Sequence, residues 1–207
     1  MLVELQRMAA ELSAIERYML MLLYASGGRV RGRLWLQKEM YALSRAFEDL
    51  REELDFEAYS YGPFSEALEE SRDMMENSGL IREVERKVEL TDAGARLAEF
   101  VWRQASDRER EIVKGVAEFM GSLDQDELLL YTYVTYGMAE RSERRDVMKR
   151  RVSIALRMLR EGKVSVGLAA KLAGMPITEF VKEAVKVGIK PFEAEEAEDG
   201  DGNVEEN

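Results

Sequence analysis

The residues of this chain best suited to chemistry are cations. Arg144, Arg145, Lys149, Arg150 and Arg151 crowd one stretch, and Lys171, Thr178, Lys182 and Lys186 follow downstream. Guanidinium and ammonium groups repeated along a helix neutralise phosphates, and a threonine hydroxyl adds a hydrogen bond. These positions are candidate DNA contacts. The plain alternative is a solvated face, or docking onto an acidic part of the same chain. Glu179 and Glu183 sit among them. An acid is repelled by the phosphate backbone, so these two read better as helix partners of Lys182 and Lys186.

Other chemistries are narrowed sharply. The chain has no cysteine and no histidine, which removes disulfides, zinc fingers, thiol nucleophiles and histidine-based triads. Catalysis would need Asp, Glu, Lys, Ser or Tyr alone, and no phosphate-cradling glycine loop or nucleophile motif is present. Glu52-Glu53 and Glu69-Glu70 read as exposed helix residues. The expectation is a protein that is not an enzyme, without catalytic, cofactor-binding or metal-binding residues. No run of 18 apolar residues and no basic-apolar leader occurs, so the expected location is the cytoplasm, with no membrane contact.

The net charge of −11 conceals an asymmetry. Residues 1–140 hold 17 basic and 28 acidic side chains; residues 141–192 hold 13 and 5; residues 193–207 hold none and 8. A basic module between an acidic body and an acidic tail points to a polyanion partner for the module, against the sign of the whole chain. The tail has the composition of a disordered segment and the reach to compete with DNA for the basic face, or it simply solubilises.

The elements that would position these residues follow from periodicity. Leu12, Ile15, Met19, Leu22 and Leu23 predict a helix over 12–24, ended by Gly27-Gly28. A second helix is predicted over 34–50. Ser65 caps a third, running to Asn77. Leu80-Ile81-Arg82 and Val88-Glu89-Leu90 predict a hairpin, and Thr91-Asp92 caps the next helix. This order, three helices, a wing and a helix, predicts a winged helix. Tyr59, Tyr61 and Phe64 read as packing around the Gly62-Pro63 turn. The helix over 65–77 carries Glu66, Glu69, Glu70, Asp73 and Glu76 against Arg72 alone, so it is expected to meet protein and not phosphates.

Tyr61-Gly62-Pro63-Phe64-Ser65, Gly79-Leu80-Ile81 and Leu90-Thr91-Asp92-Ala93-Gly94 resemble prokaryotic winged-helix proteins of the YwgA-like group and, more distantly, of the Panacea antitoxin domain. The resemblance spans about residues 12–136 and implies a fold more than an activity.

Ser106-Asp107-Arg108-Glu109 has capping-box spacing, and Ser122-Leu123-Asp124-Gln125 repeats it. The helix over 128–136 is apolar nearly all round, so Tyr131, Tyr133 and Tyr136 read as core or interface packing, with base stacking as the alternative. Gly137 and the polar run 140–143 mark a boundary. An amphipathic helix is then predicted over 144–161, a short one over 166–173 after Ser165, a break at Gly174-Met175-Pro176, and a last helix closing at Gly188. That is helix-turn-helix grammar. The segment Arg160–Met175, with Glu179-Phe180 after it, resembles uncharacterised protein family 0175, which implies an antitoxin-like protein with a DNA-binding helix-turn-helix. Pro176 stands where relatives carry a serine cap.

The sequence therefore predicts a mainly α chain with a small β-wing: a winged helix with helical extension over 1–140, a basic helix-turn-helix module over 141–192 and an acidic disordered tail over 193–207. The expected role is a DNA-binding transcriptional regulator of antitoxin type, a homodimer, with the N-terminal part holding protein contacts, among them a toxin-like partner. A protein–protein adaptor without nucleic-acid binding is the alternative.

Overall fold

The computed structural model describes residues 2–59, 62–137 and 145–191. Arg144, Tyr61, the polar run 140–143 and the segment 193–207 lie outside them.

The described chain is mainly helical, with a small antiparallel sheet. Two buried clusters organise it, one drawn from residues 15–117 and one from residues 120–180.

The first cluster is centred on α2 (Ala14–Ala25), where Ile15 and the whole run Tyr18–Leu23 are buried. Ser13 caps α2 in a reciprocal box with Glu16, and Glu53 accepts the Ala14 and Ile15 amide protons at 3.1 Å. Three of the orphan donors of the first turn are thus satisfied. Helix α1 (Leu2–Glu11) packs against α6 (Asp92–Gln104).

The stretch predicted as one helix over 34–50 is two, α3 (Arg33–Ser44) and α4 (Glu48–Leu54). The chain turns between them so that Phe47 stacks on Tyr18, with ring centroids 4.6 Å apart. Strands β2 (Glu57–Tyr59) and β3 (Gly62–Phe64) pair antiparallel. The next helix, α5 (Glu66–Asn77), starts at Ser65, whose hydroxyl accepts from Leu68 N–H at 3.1 Å and donates to the Leu54 carbonyl.

The sheet has the order β1-β5-β4, with β1 (Arg29–Val30), β4 (Ile81–Val84) and β5 (Lys87–Leu90). Glu85 and Arg86 both take positive φ in the tight β4–β5 turn. The Leu90–Gly94 motif closes this hairpin onto α6. Thr91 accepts from Gly94 N–H at 3.1 Å and donates to the Gly79 carbonyl at 2.6 Å. A Cβ on Gly94 would lie 1.8 Å from the Leu80 carbonyl oxygen, so only glycine permits this approach.

Helix α7 (Asp107–Ser122) opens at the Ser106–Glu109 box. The second box differs from the predicted one. Ser122 ends α7, Leu123 is buried as an extended link, and Asp124 caps α8 (Gln125–Tyr136) with Glu127 as its partner. Burial of Leu123 moves the start of the helix by two residues. Helix α8 belongs with the second cluster: Leu128, Leu129, Leu130 and Tyr133 pack with Ile154, Ala155, Leu172 and Phe180.

The predicted helix over 144–161 is also two, α9 (Arg145–Lys149) and α10 (Arg151–Arg160), separated at Arg150, which leaves helical geometry at ψ 11°. Helices α11 (Val166–Ala173) and α12 (Ile177–Lys186) follow with the predicted bounds, and Ser165 caps α11.

Candidate nucleic-acid interface

Helices α10, α11 and α12 pack consecutively around Ala155, Ala169, Ala170 and Phe180. Gly174 takes φ +72° at the end of α11, and Met175 N–H bonds back to the Ala170 carbonyl at 3.2 Å. Ala170 is small where α10 and α11 close on it, and Pro176 opens α12 without a side-chain cap. Its φ of −56° suits the entry to a helix.

Thr178, Lys182 and Lys186 recur every four residues, so they form one stripe along α12, and all three are exposed. Lys186 is paired with Glu183 at 2.6 Å. Lys171 is exposed on α11, and Arg145 and Lys149 are exposed at the two ends of α9. Among the described residues, Arg145, Lys149, Lys171 and Lys182 make no ion pair, and neither do the exposed Arg160 of the same basic helix and Lys190, which sequence reasoning did not single out.

Other cations of the module are engaged internally. Arg151 donates from Nε to the Leu172 carbonyl at 2.7 Å and from a terminal nitrogen to the Lys171 carbonyl at 3.3 Å. It thereby satisfies the last turn of α11, where carbonyls lack helical partners. Its guanidinium lies over Gly174, where an added Cβ would come within 2.4 Å of it. Burial lowers its pKa from the ordinary arginine value.

Arg150 bridges Asp126 at 2.9 Å and Asp146 at 3.3 Å, and its hydrogen bond to Asp126 raises its pKa. Arg157 reaches Asp124 at 2.6 Å and Glu127 at 3.2 Å. Lys163 reaches Glu127 at 2.8 Å and Glu161 at 2.6 Å. Glu127 is fully buried, and both of its oxygens take part in an ion-pair network at the N-terminus of α8, where a negative charge also interacts favourably with the positive end of the helix dipole. Part of the basic module is therefore the glue that docks α10 on α8.

The outward helix of the N-terminal unit is built the opposite way. Arg72 of α5 is 3% exposed and is surrounded by Glu69 at 3.2 Å, Asp73 at 2.5 Å, Glu76 at 3.2 Å and Glu83 at 3.7 Å. Glu66, Glu70 and Asp73 face solvent. The tyrosines of α8 are held edge-on: Phe56–Tyr41, Tyr41–Tyr136, Tyr136–Tyr131 and Tyr131–Phe119 form a chain of contacts with centroid separations of 4.8–6.2 Å. That chain ties α8 to α3 and α7.

Two buried charges occur on α3. The Lys38 ammonium donates to the Pro63 carbonyl at 2.7 Å, and burial pulls its pKa down to about 7. Glu39 is 1% exposed, with one oxygen lacking a hydrogen-bond partner, and burial pushes its pKa up to about 8. Among the described residues no group of three or more acidic side chains is placed to hold a metal ion, and no helix is long and apolar enough to cross a membrane.

Part of the apolar face of α12 lies open. Ile177, Val181 and Val185 form an apolar i, i+4, i+8 stripe on α12, with Ile177 47% and Val185 60% exposed. No protein-family model, no curated protein and no solved structure matches the chain.

Proposed function

We propose that this chain is a non-catalytic DNA-binding regulator whose residues 145–191 contact DNA through a helix-turn-helix formed by α11 and α12. The observation that carries the reading is the outward stripe Thr178–Lys182–Lys186 beside the unpaired Lys171, on a helix set by a tight Gly174 turn. Phosphate contacts then fall to Lys149, Lys171 and Lys182, with Arg145 beside them. Arg150 and Arg151 act first as the scaffold of this surface, since Arg150 is held by Asp126 and Asp146 and Arg151 by the last turn of α11.

The N-terminal unit is read as a winged helix. The sequence of α2, β1, α3, α5, the β4–β5 hairpin and α6, with β1 beside β5, supports this; α4 and the β2–β3 hairpin are then an insertion. Its acidic α5 fits protein contacts, including a second copy or a toxin-like partner, which agrees with the antitoxin-type resemblance. A cytoplasmic homodimer would present two α12 helices to successive half-sites of an operator.

The adaptor reading keeps one observation in its favour, the exposed Ile177, Val185 and Val187 beside the basic stripe.

The test is fluorescence anisotropy of the full chain with duplexes from the region upstream of its own coding sequence, beside scrambled duplexes, at two salt concentrations. Salt-sensitive binding that prefers the native sequence is expected. No binding at low salt would reject this reading in favour of the adaptor.

A further inference from the structure

Two grooves meet where the described chain stops. One, of about 1020 Å³, runs past Arg160, Val166, Ile177 and Ile189. The other, of about 490 Å³, lies along Val181 and Val185. Both include Gly188, Ile189, Lys190 and Pro191 in their walls. The surface they make is apolar at its floor and cationic at Arg160 and Lys190, neither of which has an ion pair among the described residues.

The chain beyond Pro191 is complementary to this surface in composition. Phe192 comes first, then 8 acids and no base in residues 193–207. Pro191 lines both grooves, and the next residue in sequence is the aromatic Phe192. A chain of this length spans on the order of 20 Å, sufficient to reach the cations on either side. Being covalently attached, it acts at a high effective concentration, on the order of millimolar.

We propose that residues 192–207 are an intramolecular ligand of this double groove. Phe192 covers the apolar wall near Val185 and Ile189, and the acids lie against Arg160, Lys182 and Lys190. The consequence for DNA rests on the function proposed above: the segment and a duplex compete for the same cations. If the groove is occupied about nine-tenths of the time, the segment lowers DNA affinity about tenfold.

The chain contains no cysteine, so Val204→Cys gives a single attachment point for a nitroxide on the full-length protein. Nuclear magnetic resonance then reads where the label goes, without DNA. At low salt, selective broadening of the Ile177, Val185 and Ile189 methyl signals is expected, with those of Ile15 and Leu97 unaffected. Broadening should fade between about 0.1 M and about 1 M salt, as the screening length falls from roughly 10 Å to roughly 3 Å. It should also fade with Val185→Glu, a change at an exposed position.

Absence of selective broadening at low salt overturns the proposal. So does broadening that appears only when labelled and isotope-enriched molecules are mixed, because the occupant is then a second copy. Anisotropy with DNA on the same samples separates the two claims: failure to bind duplex removes the regulator and leaves the groove assignment standing.

Discussion

Helices α5 and α12 each follow a turn and present a face outward, yet they handle charge in opposite ways. In α5 the cation points inward and four carboxylates surround it, so the outer surface is left acidic. In α12 the inner face is Phe180 and Ala184, and lysines remain outside. The same kind of element thus leaves a net acidic face in α5 and, in α12, a lysine stripe on a helix whose Glu179 and Glu183 balance Lys182 and Lys186. The acidic counterpart for the basic module lies at the start of α8, where Glu127 is buried between Arg157 and Lys163. One lesson is that net basic charge does not measure a polyanion surface; the cations already bonded must be subtracted first.

The largest effect is expected at these buried centres. Glu127→Ala leaves Arg157 and Lys163 without their shared acid and removes the Glu127 half of the α8 capping box, and should lower stability by about 3–5 kcal/mol. Arg72→Ala leaves Glu69 and Glu76 crowded without a cation, with a loss in the same range of roughly 3–5 kcal/mol. Urea denaturation followed by tryptophan fluorescence and circular dichroism measures both. Glu127→Ala should also abolish DNA binding, since it undocks α10, whereas Arg72→Ala should spare DNA binding wherever the protein remains folded. Equal loss of DNA binding in both folded variants would erase the functional contrast between the two helices.

A second contrast lies between buried charges held in ion pairs and those with no ion pair among the described residues. Glu39 has a folded pKa of about 8, raised from 4.5 by burial. Its contribution is fully present below the unfolded value and is lost as pH rises through about 8. Lys38 has a folded pKa of about 7, lowered from 10.5. Its contribution is present above the unfolded value and is lost as pH falls through about 7. Between 4.5 and 7 Glu39 dominates, and stability should fall with rising pH by up to about 1.4 kcal/mol per unit. Glu39→Gln should flatten that slope, and Lys38→Met should remove the rise expected above pH 8. Denaturant midpoints measured across this range check it; an unchanged slope in Glu39→Gln would mean the carboxyl reaches water.

Much of the fold was legible because it rests on local chemistry. The caps at Ser65, Thr91, Ser106 and Ser165 each bond an amide three residues on, and each marks a helix start correctly. What escaped depends on distant residues. Arg29-Val30 becomes a strand only by pairing with Val88-Glu89. The break near Phe47 exists for a stack on Tyr18. The α12 stripe was readable from spacing alone. The internal bonds of Arg150 and Arg151 were not legible, because their partners at Asp126, Lys171 and Leu172 lie 20 or more positions away.

The smallest expected effect tests the outward faces directly. Lys182 has no ion pair among the described residues and lies on an exposed stripe, so Lys182→Ala should leave the midpoint of unfolding within about 0.5 kcal/mol of the parent. At the proposed interface it removes one phosphate contact. Binding should weaken alike on native and scrambled duplexes, and the slope of log affinity against log salt should shrink by about 1. Glu70→Ala on α5, equally exposed, should change neither quantity, because the proposed interface does not include that face. Were Glu70→Ala to strengthen binding while Lys182→Ala did nothing, the duplex would lie along the wing of the N-terminal unit, and the acids of α5 would be what holds it off.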